Sequence, residues 1–452
     1  LNKQSFSSRS LLLLGLSLGY FMVLLDMTVV SVALPAIHAD LGGGISDLQW
    51  VVNAYTIVFA GLLLSMGVFA DKLGAKRLYI WGLVLFLIAS AASAVVSSIS
   101  LLIVLRAVLG IGGAALLPAS LTLMVHMYPE PAERAKALGI WTAITGVAMA
   151  AGPVIGGVLA DSTGWRSIFL LQVPVAVLSL LLTGLLVRET PRSQQKSFDI
   201  GGQVTAIGAI AALSFSLMEG QRYGWQSFQI VGSFVLALLC IFLFVYIEAK
   251  GKAPLFPLQL FRNRTVSAGL LGGLSINLGL SGILFVFPLF FQQVQGLSAH
   301  SAGLSLLPLM LPLAFNPILT GRLVGRVGAR IPMTAGFCLG AAGSLLQVWT
   351  NENTSYVWTF IGLLLIGFGV SLTIPSLMSA VMSSVLKEQS GAVSGALNSS
   401  RQLGSVLGVA LIGSILSGSQ SFMTGMHAAF ILITIILFIG IFLSSSMPGR
   451  KN

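Results

Sequence analysis

The chain has 452 residues, 56% of them hydrophobic and 8% charged, with a formal net charge of +11 and a mean hydropathy of +0.96. So little polar surface cannot clothe a soluble protein of this length, which excludes a soluble enzyme or a soluble nucleic-acid-binding domain and indicates an all-α integral membrane protein.

A membrane-spanning helix needs about 20 apolar residues. Such stretches are expected at 11–36, 48–70, 78–98, 101–126, 136–160, 166–187, 201–219, 229–249, 266–293, 301–323, 331–350, 356–384, 392–417 and 425–446, which makes 14 spans and leaves no soluble domain. The first stretch contains Asp26 and lacks a small-residue cleavage site, so it reads as a span and not as a removed leader. Cys240 and Cys338 both lie inside apolar stretches, which argues against a disulfide framework.

The basic residues fall almost entirely on alternate loops, with Lys72, Lys76, Arg77, Arg188, Arg192, Arg322, Arg326 and Arg330 on one side and only Arg166 and Arg222 on the other. By the positive-inside rule both termini are expected in the cytoplasm. The net positive charge then serves insertion and contact with anionic lipid, and no nucleic-acid partner is required.

The order of small and basic residues repeats. Gly67, Asp71, Gly74, Lys76 and Arg77 lie between spans two and three, and Gly321, Gly325, Gly328 and Arg330 follow between spans ten and eleven at an offset of 254. Gly110, Gly112 and Pro118 recur as Gly367, Gly369 and Pro375 at an offset of 257, and Gly139, Ala148 and Gly152 recur as Gly395, Gly404 and Gly408 at an offset of 256. An internal duplication follows, with residues 1–187 and 266–452 as two six-helix repeats and 188–265 as an inserted helix pair with cytoplasmic linkers.

The first loop motif resembles the signature between spans two and three of the major facilitator superfamily. Arg106 with Gly110, Gly112 and Gly113 resembles that family's fourth-span motif, and Gly139 with Gly152, Pro153, Gly156 and Gly157 resembles its antiporter motif, with Ala148 where glycine is usual. Asp26, Thr28 and Pro35 in the first span, Trp50 and Tyr55 in the second, and Asn398, Arg401, Gln402 and Gly404 in the thirteenth look like the 14-span drug:proton antiporter branch. The resemblance implies a multi-pass bacterial inner-membrane transporter, not an enzyme, that works by alternating access without a cofactor beyond the proton gradient. It implies a role in antibiotic resistance, with hydrophobic or cationic amphipathic substrates, protons and lipid as partners. A monomer is expected. A same-fold carrier for one metabolite, such as a siderophore, a lipid-like precursor or an amino acid, is the alternative.

An ionisable group in the middle of a span costs about 2.5–3.5 kcal/mol on insertion scales, so each one needs a reason. Asp26 is the one carboxylate expected deep in a span, and Arg106 is placed within reach of it. Asp26 is the expected proton carrier with Arg106 tuning it, against a static pair that fixes helix register. Asp71 is implied by the resemblance to lock the loop against the start of span thirteen near Gly391, against a turn that only sets topology. Gly152, Pro153, Gly156 and Gly157 permit close helix contact and a kink. Asn53, Tyr55, Gln172, Asn277, Asn316, Asn398 and Arg401 are the expected polar points of an apolar cavity, although for Arg401 a helix-packing role is preferred to substrate contact. Glu219 reads as a solvated residue at a span end. No metal constellation is expected.

Overall fold

The computed structural model describes residues 6–192, 199–251, 258–386 and 389–447. Parts of both linkers, at 193–198 and 252–257, lie outside the described residues. The elements are helical throughout the description: α1 (Phe6–Leu41), α2 (Ile45–Leu73), α3 (Ala75–Ser93), α4 (Ile99–Met127), α5 (Pro131–Ser162), α6 (Arg166–Leu186), α7 (Ile200–Tyr223), α8 (Phe228–Lys250), a short 3-10 turn (Leu258–Arg262), α9 (Arg264–Leu289) continued by a π turn (Phe290–Val294), α10 (Ala299–Ser305), α11 (Leu307–Val327), α12 (Arg330–Gln347), α13 (Tyr356–Ser383), α14 (Ser390–Gly418) and α15 (Phe422–Ser445). Helix is the form that satisfies every backbone donor and acceptor within one segment, as hydrocarbon demands. The starts are marked by side-chain caps: Ser98, Asp199, Ser227, Asn263, Ser298 and Ser421 each accept from a backbone N–H in the following turn.

Among the described residues, 12 helices are long and apolar enough to cross a membrane, or 13 if the two arms of α2 count as one span. Those arms, Ile45–Leu63 and Ser65–Leu73, meet at 58°. The segment expected at 331–350 forms α12, which at 18 residues is not among them. The segment expected at 301–323 is divided into the short α10 and the longer α11, the latter carrying Pro312 and Pro317.

Helices α1 to α6 pack on one another, as do α9 and α11 to α15, and the two groups meet where α1 faces α9, α2 faces α14, and α5 faces α10 and α11. Helix α9 is buried along nearly its whole length. Helix α7 leans on both α2 and α14, and so spans the seam between the groups, while α8 packs on α7 and leaves most of its large apolar side chains exposed.

Glycines set the closest approaches. A Cβ at Gly82 of α3 would lie 2.9 Å from the carbonyl oxygen of Gly112 in α4, and one at Gly336 of α12 would lie 2.6 Å from that of Gly369 in α13. A Cβ at Gly110 would meet the Tyr55 carbonyl at 2.5 Å, and one at Gly367 the Leu309 carbonyl at 2.5 Å. Each contact in the first group thus has a counterpart in the second.

Candidate functional site

Asp26 and Arg106 come together from α1 and α4 as an ion pair, with 0% and 1% of their surfaces exposed. The second carboxylate oxygen of Asp26 accepts from Gln172 Nε2 of α6 at 2.9 Å. Arg106 donates from Nε to the Val51 carbonyl at 2.8 Å, and its guanidinium lies 4.7 Å from the centre of the Tyr55 ring. Tyr55 in turn donates to the Val23 carbonyl at 3.3 Å. Four helices therefore contribute to one dry polar cluster, in which charge attraction acts almost unscreened and each partner offsets the cost of burying the others.

Beside this cluster lies a central pocket of about 120 Å³ between the two groups of helices. Asn277, Asn398 and Arg401 line it, together with Tyr20, Thr28 and Gln402, which the cavity expectation left out. Tyr20 stacks on Trp141 of α5 with ring centres 4.8 Å apart. The other expected polar points lie elsewhere. Tyr55 and Gln172 belong to the Asp26 cluster. Asn53 donates to the Val406 carbonyl at 3.1 Å and so joins α2 to α14. Asn316 donates to Ser371 at 2.8 Å within the second group.

One end of the molecule is sealed by contacts between the groups. Asp161, at the end of α5, accepts from the backbone N–H groups of Ala299 at 3.0 Å and His300 at 2.8 Å, which are orphan donors of the first turn of α10. Gln49 of α2 donates to the carbonyls of Val409 at 2.8 Å and Ala410 at 2.9 Å, and Gln292 donates to that of Val32 at 2.9 Å. The small residues of α5 permit this closure. A Cβ on Gly157 would come within 2.4 Å of the Ala299 carbonyl oxygen, and one on Gly303 within 2.1 Å of that of Pro153. Gly152 and Gly156 face the other way, onto Thr28 and Val29 of α1, close in sequence to Asp26. Gly139 meets nothing within 4 Å, so packing gives no reason for a glycine there.

The loop motif lies at the opposite end. Gly74, with φ of +99°, turns the chain from α2 into α3, a conformation that disfavours any side chain. The first N–H groups of α3 are capped from the segment after α6: Ala75 by Thr190 Oγ1 at 2.9 Å, and Lys76 and Arg77 by the two carboxylate oxygens of Glu189 at 3.0 and 3.1 Å. Glu189 and Thr190 do not stand out in a loop rich in basic residues, although an acid followed by threonine is a capping composition. Lys76 also reaches the Gly184 carbonyl at 2.9 Å. Gly67 meets nothing within 4 Å. Helix α2, which ends in Asp71, Lys72 and Leu73, packs along α14, whose first turn includes Gly391.

Glu219 corrects the expectation of a solvated end residue: it is 4% exposed and accepts from Trp50 Nε1 at 3.0 Å. Helix α7 continues to Tyr223, a full turn past the expected end, and folds Glu219 against α2. Arg222 stands 3.8 Å from Glu219 and 3.9 Å from Asp47, while Arg166 pairs with Asp40. Both basic residues expected on the sparsely charged side thus have carboxylate partners. Among the described residues no group of three or more His, Cys, Asp or Glu is placed to hold a metal ion.

A family profile described as Major Facilitator Superfamily matches residues 16–409. The multidrug resistance protein Stp of Mycobacterium tuberculosis is 36% identical over 407 residues, covering 90% of this chain and 76% of that protein. The methylenomycin A resistance protein of Streptomyces coelicolor is 32% identical over 426 residues, covering 94% and 90%, and the multidrug transporter protein MdtP of Bacillus subtilis is 32% identical over 412 residues, covering 91% and 76%. In fold, the chain superposes on a variant of the nucleoside transporter NupG with a TM-score of 0.70 at 13% identity, over 97% of this chain and 99% of that one. It also superposes on a bacterial homolog of the human lysosomal transporter Spinster, in an inward-facing and unoccupied conformation, with a TM-score of 0.69 at 17% identity, over 98% of each chain.

Proposed function

The chain belongs to the major facilitator superfamily of secondary active transporters, and from that premise we propose that it exports hydrophobic or cationic amphipathic compounds in exchange for protons, by alternating access. The observation that carries this reading is the buried pair of Asp26 and Arg106 beside the central pocket. Ionised, Asp26 is held by Arg106 and Gln172. Protonated, it no longer attracts the guanidinium, and the helices that carry the two residues, α1 and α4, lose the charge attraction joining them. Gly152 and Gly156 place α5 directly against α1 near Asp26, while Gly157 seals against α10. A change of charge at Asp26 therefore acts on a helix that also carries the closed end.

The matching glycine contacts in the two groups of helices support a duplicated architecture of two six-helix repeats, 1–187 and 266–452, with α7 and α8 as the inserted pair. Counting bent α2 and α12 as crossings gives 14 spans. With the basic loops in the cytoplasm, both termini are inside, the bacterial inner membrane is the site of action, and the sealed end is the outer one. The loop of Gly67, Asp71, Gly74, Lys76 and Arg77 then sits at the inner end, where it would lock against α14 in the opposite, outward-open arrangement. Relatives named for multidrug and methylenomycin A resistance support the direction of transport.

The driving force suffices. One proton entering down about 100 mV releases about 2.3 kcal/mol, and a gradient of one pH unit adds about 1.4 kcal/mol. The test is pH-driven movement of a neutral lipophilic dye in inverted vesicles, comparing the native chain with Asp26→Asn. Native vesicles are expected to accumulate dye and release protons, and the variant to lose at least nine-tenths of both, an order-of-magnitude effect like those seen when a proton-transfer group is removed. Equal transport by the variant would make Asp26 structural.

A further inference from the structure

The central pocket holds one charged side chain, and it is a cation. Arg401 enters from α14 with its stem laid across Gly273 of α9, where an added Cβ would come within 3.0 Å of Arg401 Cγ. The Nε of Arg401 is buried and has no hydrogen-bond partner among the described residues, and the contact from Nη1 to Asn398 Oδ1 is 3.5 Å long, at the limit of a hydrogen bond. Among the described residues no carboxylate pairs with it. Asp26, the acid set deep in α1, is already taken by Arg106 and Gln172. A guanidinium offers five N–H donors in a fixed fork that matches an oxyanion, and Arg401, only part-buried, lines the pocket with that fork.

We propose that the pocket takes hydrophobic compounds carrying one acidic group, a carboxylate or similar oxyanion, which Arg401 pairs. Asn398, Asn277 and the Tyr20 hydroxyl supply neutral polar contacts around the acid, and Leu24, Met27 and Leu284 receive the apolar body. The assignment rests on the export reading and narrows its hydrophobic substrates to those that carry an acid, at the expense of the cationic ones. A cation in the same pocket would meet repulsion from Arg401 and no acidic partner in the lining.

The acid could belong to a transported compound or to an anionic lipid headgroup, and the experiment separates them. The probes are 11-(dansylamino)undecanoate and its methyl ester, which share a fluorophore and a chain and differ in charge. Each is titrated into purified protein in phosphatidylcholine nanodiscs, with empty nanodiscs subtracted, for the native chain, Arg401→Gln and Arg401→Lys. The native protein is expected to bind the acid at least tenfold tighter than the ester. Arg401→Gln should bring that ratio to within twofold of one, and Arg401→Lys should keep part of it. The ratio is read within each protein, so a general loss of affinity cancels. Binding of the ester as tight as that of the acid, failure of the native protein to bind the acid, or an unchanged ratio in Arg401→Gln would overturn the proposal. So would an acid preference that vanishes when phosphatidylglycerol is added, since the guanidinium would then belong to lipid. Export is read separately, as pH-driven movement of both probes in inverted vesicles. An acid preference without driven movement sinks the export reading alone, and driven movement without an acid preference sinks this assignment alone.

Discussion

Removing one member of a buried ion pair leaves an uncompensated charge and costs about 3–5 kcal/mol, whereas replacing both members together costs far less. The two members are not equivalent here. Without Asp26, Arg106 keeps the Val51 carbonyl and the Tyr55 ring; without Arg106, Asp26 keeps a single amide donor from Gln172. Arg106→Gln is therefore expected to lower the thermal midpoint of the detergent-purified protein more than Asp26→Asn, and the double variant to recover most of the loss. A double variant as unstable as the sum of the two singles would mean that the pair is not coupled. Asp26 and Arg106 were legible in the sequence because embedded charges are few and each demands a partner. Gln172 was visible as polar but not as the second partner of Asp26, since an uncharged amide in a span can serve a neighbouring helix as well as a cavity. Glu219 was misread for a related reason. Proximity to a span end suggests water, yet the sequence does not say that α7 continues past it and presses it onto Trp50.

At the scale of an element, α5 joins two functions through two faces. One face, Gly152 and Gly156, lies on α1, and the other, Pro153 and Gly157, lies on α10. The obstacle to a side chain at Gly157 is backbone, the carbonyl of Ala299, so rotation of a neighbouring side chain cannot relieve it. Gly157→Ala is expected to loosen the sealed end and reduce driven transport several-fold, because relieving the 2.4 Å contact takes a helix displacement of about 1 Å, enough to break the hydrogen bonds from Ala299 and His300 to Asp161. Gly232→Ala on lipid-facing α8, where an added Cβ meets nothing within 4 Å, is the matched control and should transport as the native chain does. Equal activity in both variants would remove α5 from the closure. The small residues of α5 were apparent from their spacing, as was the kink-prone Pro153. Which helix each glycine faces was not, because spacing fixes a face of α5 and says nothing about what lies opposite. Gly139 shows the limit of the pattern: it completes the motif and touches nothing in this arrangement.

For the whole molecule, an all-helical, many-span membrane fold could be read from hydrophobic length alone, but the bend in α2 and the short α12 could not. A length of apolar residues permits a crossing without fixing its path. Two positions at those ends provide a test of the cycle. Leu73 closes α2 and Val327 closes α11, at the same offset of 254 that relates the two loop motifs, and both are exposed at the end opposite the seal. Spin labels on Leu73→Cys and Val327→Cys report that end, and labels on Ser162→Cys and His300→Cys report the sealed one, in a background lacking Cys240 and Cys338. The present arrangement has Asp26 paired, as an ionised carboxylate would be, and the end at Asp161 closed. If protonation favours the opposite arrangement, Asp26→Asn should shift the population, because a ligand or charge state moves an equilibrium only as far as it distinguishes the two states. The expected result is opposed: the 162–300 distance lengthens while the 73–327 distance shortens. A lengthening at both ends would indicate loosening and not exchange, and no change at either would leave the charge on Asp26 without a hold on the molecule's shape. Opposed movement is the one result that ties a single buried carboxylate to both ends of the fold.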